Sequence, residues 1–123
     1  MHVLVIDDSR TTRSILRRMM SDMGFVVDEA ASGNEAIEWL SEHGSIDIAF
    51  VDLDMPGMDG VQFLKTVRAN PEFKDMRLMM VTTANALESI ARALDAGADE
   101  YLMKPFTKDS LRDKLRLMGL QPS

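Results

Sequence analysis

The sequence contains no cysteine, which excludes a disulfide framework, a zinc knuckle and a thiol nucleophile. Basic residues are outnumbered by acidic ones, so the net charge is −6, and no run of lysine and arginine marks a basic patch. Binding to a phosphate backbone would meet overall repulsion, and we predict no direct nucleic-acid partner. No apolar run is long enough for a signal peptide or a membrane span. We therefore predict a soluble, cytoplasmic protein without membrane insertion.

Linkers, internal repeats and low-complexity tracts are also lacking. The 123 residues fit one domain of common size, and the balance of 46% apolar and 28% charged residues can fill one core. We predict a single domain over residues 1–123. The start at Met1 and the end shortly after the last predicted helix favour a stand-alone protein, and a piece excised from a longer chain is the alternative.

Short apolar runs alternate with amphipathic stretches along the chain. Residues 3–6, 48–51 and 78–81 form continuous apolar runs, which are typical of strands buried on both faces of a parallel sheet. Residues 25–30 and 100–103 mix apolar with charged side chains, which edge strands tolerate better than central strands. The sequence thus predicts three central strands and two edge strands.

Helices are predicted between the strands. The clearest apolar spacing of i, i+3, i+4 and i+7 predicts a core-facing stripe of Leu87, Ile90, Ala91 and Leu94. Ser32 and Glu35 have the spacing of a capping box. Gly24, Gly44 and Gly97 follow helical segments, where a left-handed residue often ends a helix.

The resulting order, a strand followed by a helix five times over, predicts an α/β protein. We expect a three-layer α/β/α sandwich with a doubly wound five-stranded parallel sheet and right-handed crossovers. Periodicity does not give the strand order. With the most apolar strands in the centre, the order 2-1-3-4-5 of flavodoxin-like folds is the natural arrangement, and we adopt it from that fold class.

Polar residues follow four of the predicted strands. Asp7 and Asp8 follow the first strand, Asp52 ends the third, Thr82 ends the fourth and Lys104 ends the fifth. Taken singly, each has a plain structural interpretation, such as an acidic residue near a helix N-terminus or a solvated lysine. Function in doubly wound sheets sits beyond the carboxyl ends of the strands. Their joint placement there favours a site.

The residue types in this predicted site suit phosphoryl transfer. Two carboxylates about 4 Å apart repel by roughly 4 kcal/mol at an effective dielectric of 20, and a cation relieves this. An all-oxygen ligand set favours Mg²⁺, or Mn²⁺, completed by water. Lys104 and the Thr82 hydroxyl can bind phosphoryl oxygens. Asp52 is then placed as a nucleophile that forms an acyl phosphate.

Four segments carry a resemblance to a known family. They are residues 3–9 (VLVIDDS), 50–60 (FVDLDMPGMDG), 80–82 (MVT) and 97–106 (GADEYLMKPF). In this order and at this spacing they resemble the receiver domain of response regulators in two-component signalling, and the resemblance covers the chain from end to end.

The resemblance implies a metal site and a phosphorylation site. It implies that Asp52 is the phosphoacceptor, and that Asp7 and Asp8 hold Mg²⁺ together with Asp52 and the backbone carbonyl of Asp54. It also implies that two further residues contact the phosphoryl group. These are Thr82 and Lys104.

The resemblance further implies a switch and partners. The Tyr101 ring is expected to move inward when Thr82 shifts, and the Lys104–Pro105 bond is expected to be cis. A sensor histidine kinase or a phosphotransfer protein would donate the phosphoryl group. The face built from helix 4, strand 5 and helix 5 would then change its affinity for a downstream protein target. Such a protein is not an enzyme beyond self-phosphotransfer and autodephosphorylation, and it is a monomer or a weak phosphorylation-dependent dimer.

Some positions depart from the family's pattern. Thr83 follows Thr82 where receivers usually carry alanine or glycine, so either the register is shifted or the entrance is narrower. The spacing to Lys104 favours Thr82. Asp54 and Ala84 occupy the positions that tune hydrolysis in the family, and they do not predict an acyl-phosphate lifetime.

The same residues are compatible with other functions. The segment from Asp52 to Asp54 resembles the nucleophile motif of small haloacid-dehalogenase-like phosphatases, but those usually carry it on their first strand and in longer chains. A calcium-binding loop is excluded because Phe63 stands where a bidentate glutamate is required. An inert scaffold of receiver ancestry is the third alternative, and the intact residue set argues against it.

Overall fold

The computed structural model describes residues 1–53, 60–83 and 87–120. The strands are β1 His2–Ile6, β2 Val26–Ala30, β3 Ile48–Asp52, β4 Arg77–Thr83 and β5 Glu100–Lys104. The helices are α1 Arg10–Asp22, α2 Gly33–His43, α3 Gly60–Arg68, α4 Leu87–Asp95 and α5 Lys108–Leu117, with a short 3-10 helix at Pro71–Phe73. The metal contact predicted from Asp54 and the position of Ala84 lie outside the described residues.

The strands form one parallel five-stranded sheet in the order β2-β1-β3-β4-β5, which confirms the predicted fold class and strand order. The central β3 is buried along its whole length, whereas the edge strands β2 and β5 mix buried with half-buried or exposed residues. The difference follows from packing, because helices cover both faces of a central strand, whose side chains are therefore apolar up to Asp52 at its carboxyl end.

A hydrophobic core lies on each face of the sheet. One core contains Leu40 of α2, Phe63 of α3 and Ile90 of α4, and the other contains Leu16 of α1 and Leu111 of α5. Successive residues of a strand point to opposite faces, so the central strands contribute to both cores in alternation. None of the helices described here is long and apolar enough to span a membrane.

Helix ends follow the predicted signals in most places. The Ser32 hydroxyl accepts from the Glu35 backbone N–H at 3.1 Å, while the reciprocal capping box is seen instead at Thr107 and Ser110. The glycines predicted to follow helices adopt positive φ angles of 90°, 84° and 117°. These are Gly24, Gly44 and Gly97.

Two details differ from the sequence-based expectations. The predicted stripe on α4 is wrong in part, because Leu87, Ala91 and Leu94 are exposed, the two leucines to 70% and 44%, and the buried residues are Ile90 and Ala93. The helix packs on α3 and β4 through the side that carries Ile90 and Ala93, so the side that carries the leucines faces outward. Strand β4 also continues beyond its apolar run, so Thr82 lies within the strand rather than at its end.

Candidate functional site

The carboxyl ends of β1 and β3 bring the predicted carboxylates together. The two strands are neighbours in register, with Ile6 opposite Val51, so the next residue of each strand reaches the same edge of the sheet. Carboxylate oxygens of Asp7, Asp8 and Asp52 all lie within 4.8 Å of one another. Asp7 and Asp52 are buried, whereas Asp8 is exposed. The cluster is therefore buried on the side of Asp7 and Asp52 and open to solvent on the side of Asp8.

Asp7 is fixed from several directions. Its backbone N–H donates to the Ala30 carbonyl at 3.1 Å, and its Oδ1 accepts from the Ser9 backbone N–H at 2.8 Å. The second oxygen, Oδ2, is buried and has no hydrogen-bond partner within the described part of the chain. A buried carboxylate oxygen without a donor is costly unless a ligand completes it, so this atom suits coordination of a cation.

Lys104, the last residue of β5, extends its ammonium between two of the carboxylates. Its Nζ lies 3.7 Å from Asp7 Oδ2 and 3.6 Å from Asp52 Oδ1. Both contacts are ion pairs, but their distances are longer than that of a charge-assisted hydrogen bond. The cluster joins three carboxylates, and Lys104 pairs with two of them, so negative charge predominates there. The Lys104–Pro105 peptide is cis, which confirms the expectation.

Thr82 is buried beside Asp52. The preceding residue, Val81, lies opposite Asp52 in the pairing of β3 with β4. The Thr82 side chain is 0% exposed, and its Oγ1 has no hydrogen-bond partner among residues 1–53, 60–83 and 87–120. The adjacent Thr83 is exposed, as alternation along a strand requires. Of the two hydroxyls, that of Thr82 is the buried one.

Tyr101 lies on β5, the edge strand next to β4. It is half-buried, sits opposite Met80 of β4 and packs against the core under α2, α3 and α4. The Lys114 ammonium lies 3.9 Å above the centroid of the Tyr101 ring, and it also pairs with Glu100 Oε1 at 3.0 Å. The ring is therefore held at the surface by a cation from α5.

Gly60 and Arg13 are site-adjacent residues that sequence reasoning missed as structural determinants. A Cβ on Gly60, the first residue of α3, would lie 2.8 Å from the Asp52 carbonyl oxygen and 2.9 Å from Leu53 Cα. Only glycine lets α3 pack this closely against the backbone of Asp52. Arg13 Nη1 donates to the Asp7 carbonyl at 2.6 Å. The available signal was its position in the second turn of α1, because helical side chains lean towards the helix N-terminus.

The residues present fit a magnesium ion. All three side chains offer carboxylate oxygens, the ligand type that Mg²⁺ prefers, and the exposed Asp8 leaves room for the water molecules that Mg²⁺ retains. The cluster has no histidine or thiolate that would favour zinc or copper. The chemistry of the set is that of a hard divalent cation.

Comparison with known proteins decides the family. A family model described as the response regulator receiver domain matches residues 3–116. The chain belongs to the response-regulator receiver family. Among curated relatives, this receiver is 38% identical to the chemotaxis protein CheY1 of Helicobacter pylori, covering 96% of both chains, and 36% identical to CheY of Pseudomonas aeruginosa, covering 94% of this chain and 93% of that one.

Solved structures agree with this assignment. The receiver superposes with a TM-score of 0.87 on the chemotaxis protein CheY4 of Vibrio cholerae, at 32% identity and covering 94% and 96% of the two chains. It superposes with a TM-score of 0.88 on a response regulator from Chloroflexus aurantiacus, at 28% identity and covering 96% and 97%. Receivers of this family are phosphoryl-accepting signalling proteins of two-component systems, which bind Mg²⁺ at an acidic pocket and interact with histidine kinases and downstream targets.

Proposed function

We propose that the chain is a one-domain switch, spanning residues 1–123, in which Asp52 is the phosphoacceptor. The observation that carries the proposal is the position of the buried Asp52 carboxylate, with the Lys104 ammonium 3.6 Å from its Oδ1 and the oxygens of Asp7 and Asp8 within 4.8 Å. No other described part of the chain groups three metal-ligating side chains in this way.

The chemistry follows from these contacts. An Asp52 carboxylate oxygen attacks the phosphorus of a phosphohistidine or a small acyl phosphate, an oxygen–phosphorus bond forms, and the bond to the donor breaks with its electron pair leaving on the donor. Lys104 is placed to bind one equatorial oxygen and the Thr82 hydroxyl to donate to another. The buried Thr82 hydroxyl, which has no partner in the described part of the chain, supports this role.

Asp7, Asp8 and Asp52 are the side chains that would hold magnesium. A bound Mg²⁺, or Mn²⁺, supplies positive charge that offsets the charge of the carboxylates and the phosphoryl oxygens. The backbone carbonyl of Asp54 remains a predicted further ligand. Before the ion binds, Lys104 partly balances the cluster, and the ion pairs at 3.6 and 3.7 Å leave that ammonium free to turn towards a phosphoryl oxygen.

The output would run through Tyr101. This residue and Thr82 are on adjacent strands, Tyr101 being opposite Met80 and Thr82 opposite Met103. A shift of Thr82 towards a phosphoryl oxygen would open space on the same side of the sheet, into which the half-buried ring can turn. Phosphorylation would thereby shift the equilibrium between two conformations of the face formed by α4, β5 and α5.

The partners follow from the family and its relatives. A sensor histidine kinase or a phosphotransfer protein would supply the phosphoryl group, and a downstream protein would bind the α4–β5–α5 face. The named relatives are chemotaxis proteins, which favours a role in chemotaxis for this receiver. We infer a cytoplasmic protein that is a monomer or a weak phosphorylation-dependent dimer.

Phosphorylation by acetyl phosphate tests the proposal. In the presence of Mg²⁺ the intact mass should increase by one phosphoryl group, the label should be lost on treatment with hydroxylamine, and chelation of the metal should prevent labelling. Asp52→Asn should abolish the label. Asp95→Asn, the same change at an exposed helical position, should not. Retention of the label by Asp52→Asn would exclude Asp52 as the acceptor.

The same assay separates the receiver from a phosphatase. A receiver incorporates one phosphoryl group and releases it slowly from itself. Sustained release of phosphate from many monoesters, at a rate far above the loss of label, would favour the phosphatase instead. The family assignment does not favour that alternative.

A further inference from the structure

Helix α1 carries an arginine that the phosphoryl chemistry does not use. Arg13 lies in the second turn of α1, and its Nη1 donates a 2.6 Å hydrogen bond to the backbone carbonyl of Asp7. Helical side chains lean towards the N-terminus, which brings the guanidinium back over the connection from β1 to α1. The carbonyl it holds belongs to the peptide that joins Asp7 to Asp8.

The same guanidinium is anchored on β2. Arg13 Nε donates to Glu29 Oε1 at 3.2 Å, and Arg17 Nη1 donates to Glu29 Oε2 at 2.6 Å. The Arg13 side chain is only 16% exposed. Because the guanidinium is planar and its N–H groups point in fixed directions, two anchored edges define its orientation. Arg13 thus connects the end of β2 with the peptide after β1.

Asp8 depends on this peptide for its direction. Asp7 has its own contacts, through Ala30 and Ser9. The Asp8 side chain is exposed, and within the described part of the chain it makes no hydrogen bond or ion pair. Its backbone N–H belongs to the peptide whose oxygen Arg13 holds. The backbone therefore sets the direction of the Asp8 Cα–Cβ bond, and with it the region that the carboxylate can reach.

We propose that Arg13 is a positioning residue for the metal site. By holding the Asp7 carbonyl it orients the Asp7–Asp8 peptide, which keeps the Asp8 carboxylate within reach of Asp52. This inference rests on the proposed function, because it requires a magnesium ion between those carboxylates. Charge alone has the opposite sign, since a cation beside a cation site weakens binding of Mg²⁺.

Three variants separate positioning from charge. Arg13→Gln should raise the dissociation constant for Mg²⁺ by about tenfold, a size typical of residues that orient metal ligands. Arg13→Lys keeps the charge but replaces two N–H groups of fixed direction with a single rotatable ammonium, and it should weaken Mg²⁺ binding similarly. Arg17→Gln is the matched control, because it removes the same charge from the same helix and the same Glu29 but has no contact with Asp7. Its affinity should stay within about twofold of the unchanged protein.

Magnesium titrations followed by amide ¹H–¹⁵N spectra supply the readout. In the metal-free protein, the Asp8 amide ¹⁵N resonance should shift in both Arg13 variants and stay in place in Arg17→Gln, because Arg13 bonds that peptide and Arg17 does not. In acetyl phosphate assays, the Mg²⁺ concentration for half-maximal labelling should rise, while the rate at saturating Mg²⁺ stays close to that of the unchanged protein.

The failures are distinguishable. If the unchanged protein binds Mg²⁺ and labels normally but Arg13→Gln binds Mg²⁺ as tightly or more tightly, or Arg13→Lys retains full affinity, the positioning role of Arg13 is wrong and the proposed function stands. If the unchanged protein neither binds Mg²⁺ nor labels, the proposed function and this inference are overturned together. The amide spectrum itself reports whether each variant is folded.

Discussion

At the amino ends of the strands, Arg68 and Asp99 meet at 2.8 Å, whereas at the carboxyl ends Lys104 stays 3.6 Å from Asp52 and 3.7 Å from Asp7. Arg68 also donates to the Gly97 carbonyl at 2.9 Å, and Asp99 Oδ2 accepts from the Leu78 N–H at 2.8 Å. We call the first group the basal network, formed by Arg68, Asp99, Gly97 and Leu78. The second group, the rim, consists of Asp7, Asp8, Asp52, Thr82 and Lys104.

The difference lies in how far polar atoms are satisfied. The basal network has short hydrogen bonds, while the rim has a buried carboxylate oxygen and a buried hydroxyl without partners in the described residues. Unmade hydrogen bonds and clustered carboxylates destabilise the fold. Hydrogen bonding at the amino ends therefore stabilises the fold more than that at the carboxyl ends, where unfilled bonding capacity remains for the proposed ion and phosphoryl group.

Arg68→Ala should produce the largest change in stability. It removes the donor to Gly97 and to two further carbonyls as well as the Asp99 pair, and we expect a loss of about 2–3 kcal/mol in the free energy of unfolding. Chemical denaturation measures it. The exposed Arg92→Ala serves as control and should stay within about 0.5 kcal/mol. A neutral Arg68→Ala would mean that the basal network does not stabilise the fold.

Asp8→Asn should have the opposite sign. Removing one of three clustered carboxylates relieves repulsion, so the metal-free protein should gain about 1 kcal/mol, a modest value because Asp8 is exposed. The gain should shrink or reverse in Mg²⁺, because the unchanged protein is stabilised by the bound ion more than the variant is. Thermal unfolding with and without Mg²⁺ measures both.

A distant acid controls for the general loss of negative charge. Asp75→Asn changes an exposed aspartate near the start of β4, and Mg²⁺ should not alter its effect. If Asp8→Asn is destabilising without metal, the rim carboxylates do not repel one another enough to matter.

Thr82→Val tests the rim's buried hydroxyl. Valine has nearly the same shape and leaves no unsatisfied polar atom, so the variant should be more stable by about 1 kcal/mol and should lose coupling of phosphorylation to Tyr101. Urea denaturation and partner binding measure the two effects. Thr83→Val is the neighbour for comparison, and because Thr83 is exposed its stability should hardly change. Destabilisation by Thr82→Val would show that the hydroxyl already has a strong partner.

Much of this fold could be predicted from local patterns. Continuous apolar runs marked the central strands, and parallel pairing then brought the residues at the carboxyl ends of β1 and β3 to one edge, which made the Asp7, Asp8 and Asp52 cluster predictable. The phase of α4 was not predictable, because periodicity at Leu87 and Leu94 does not reveal which apolar side faces the protein. The partners that long side chains reach were not predictable either.

Long-range contacts of arginine show this limit best. Arg68 bonds to Gly97 and Arg13 to Glu29 across sequence separations of 29 and 16 residues. A long side chain can meet many carbonyls, and the one it meets depends on how a helix sits on the sheet. Sequence spacing fixes the strand ends, but it does not fix the rotation of a helix about its own axis.

The smallest effect is expected at Tyr101, which lies between the two regions. Lys114→Gln removes the cation above the ring and the pair with Glu100, so stability should fall by only about 0.5–1 kcal/mol while the ring gains freedom to turn inward.

Tyr101 is the sole tyrosine, so incorporation of 3-fluorotyrosine gives a single ¹⁹F resonance. That resonance should move in Lys114→Gln towards its position in the phosphorylated protein. Lys108→Gln, on the same helix but paired with Asp22, should leave it in place. An unchanged resonance in Lys114→Gln would mean that the ring is held by its packing against the core. The edge strand β5 would then resemble the basal network, whose polar atoms are satisfied, rather than the rim.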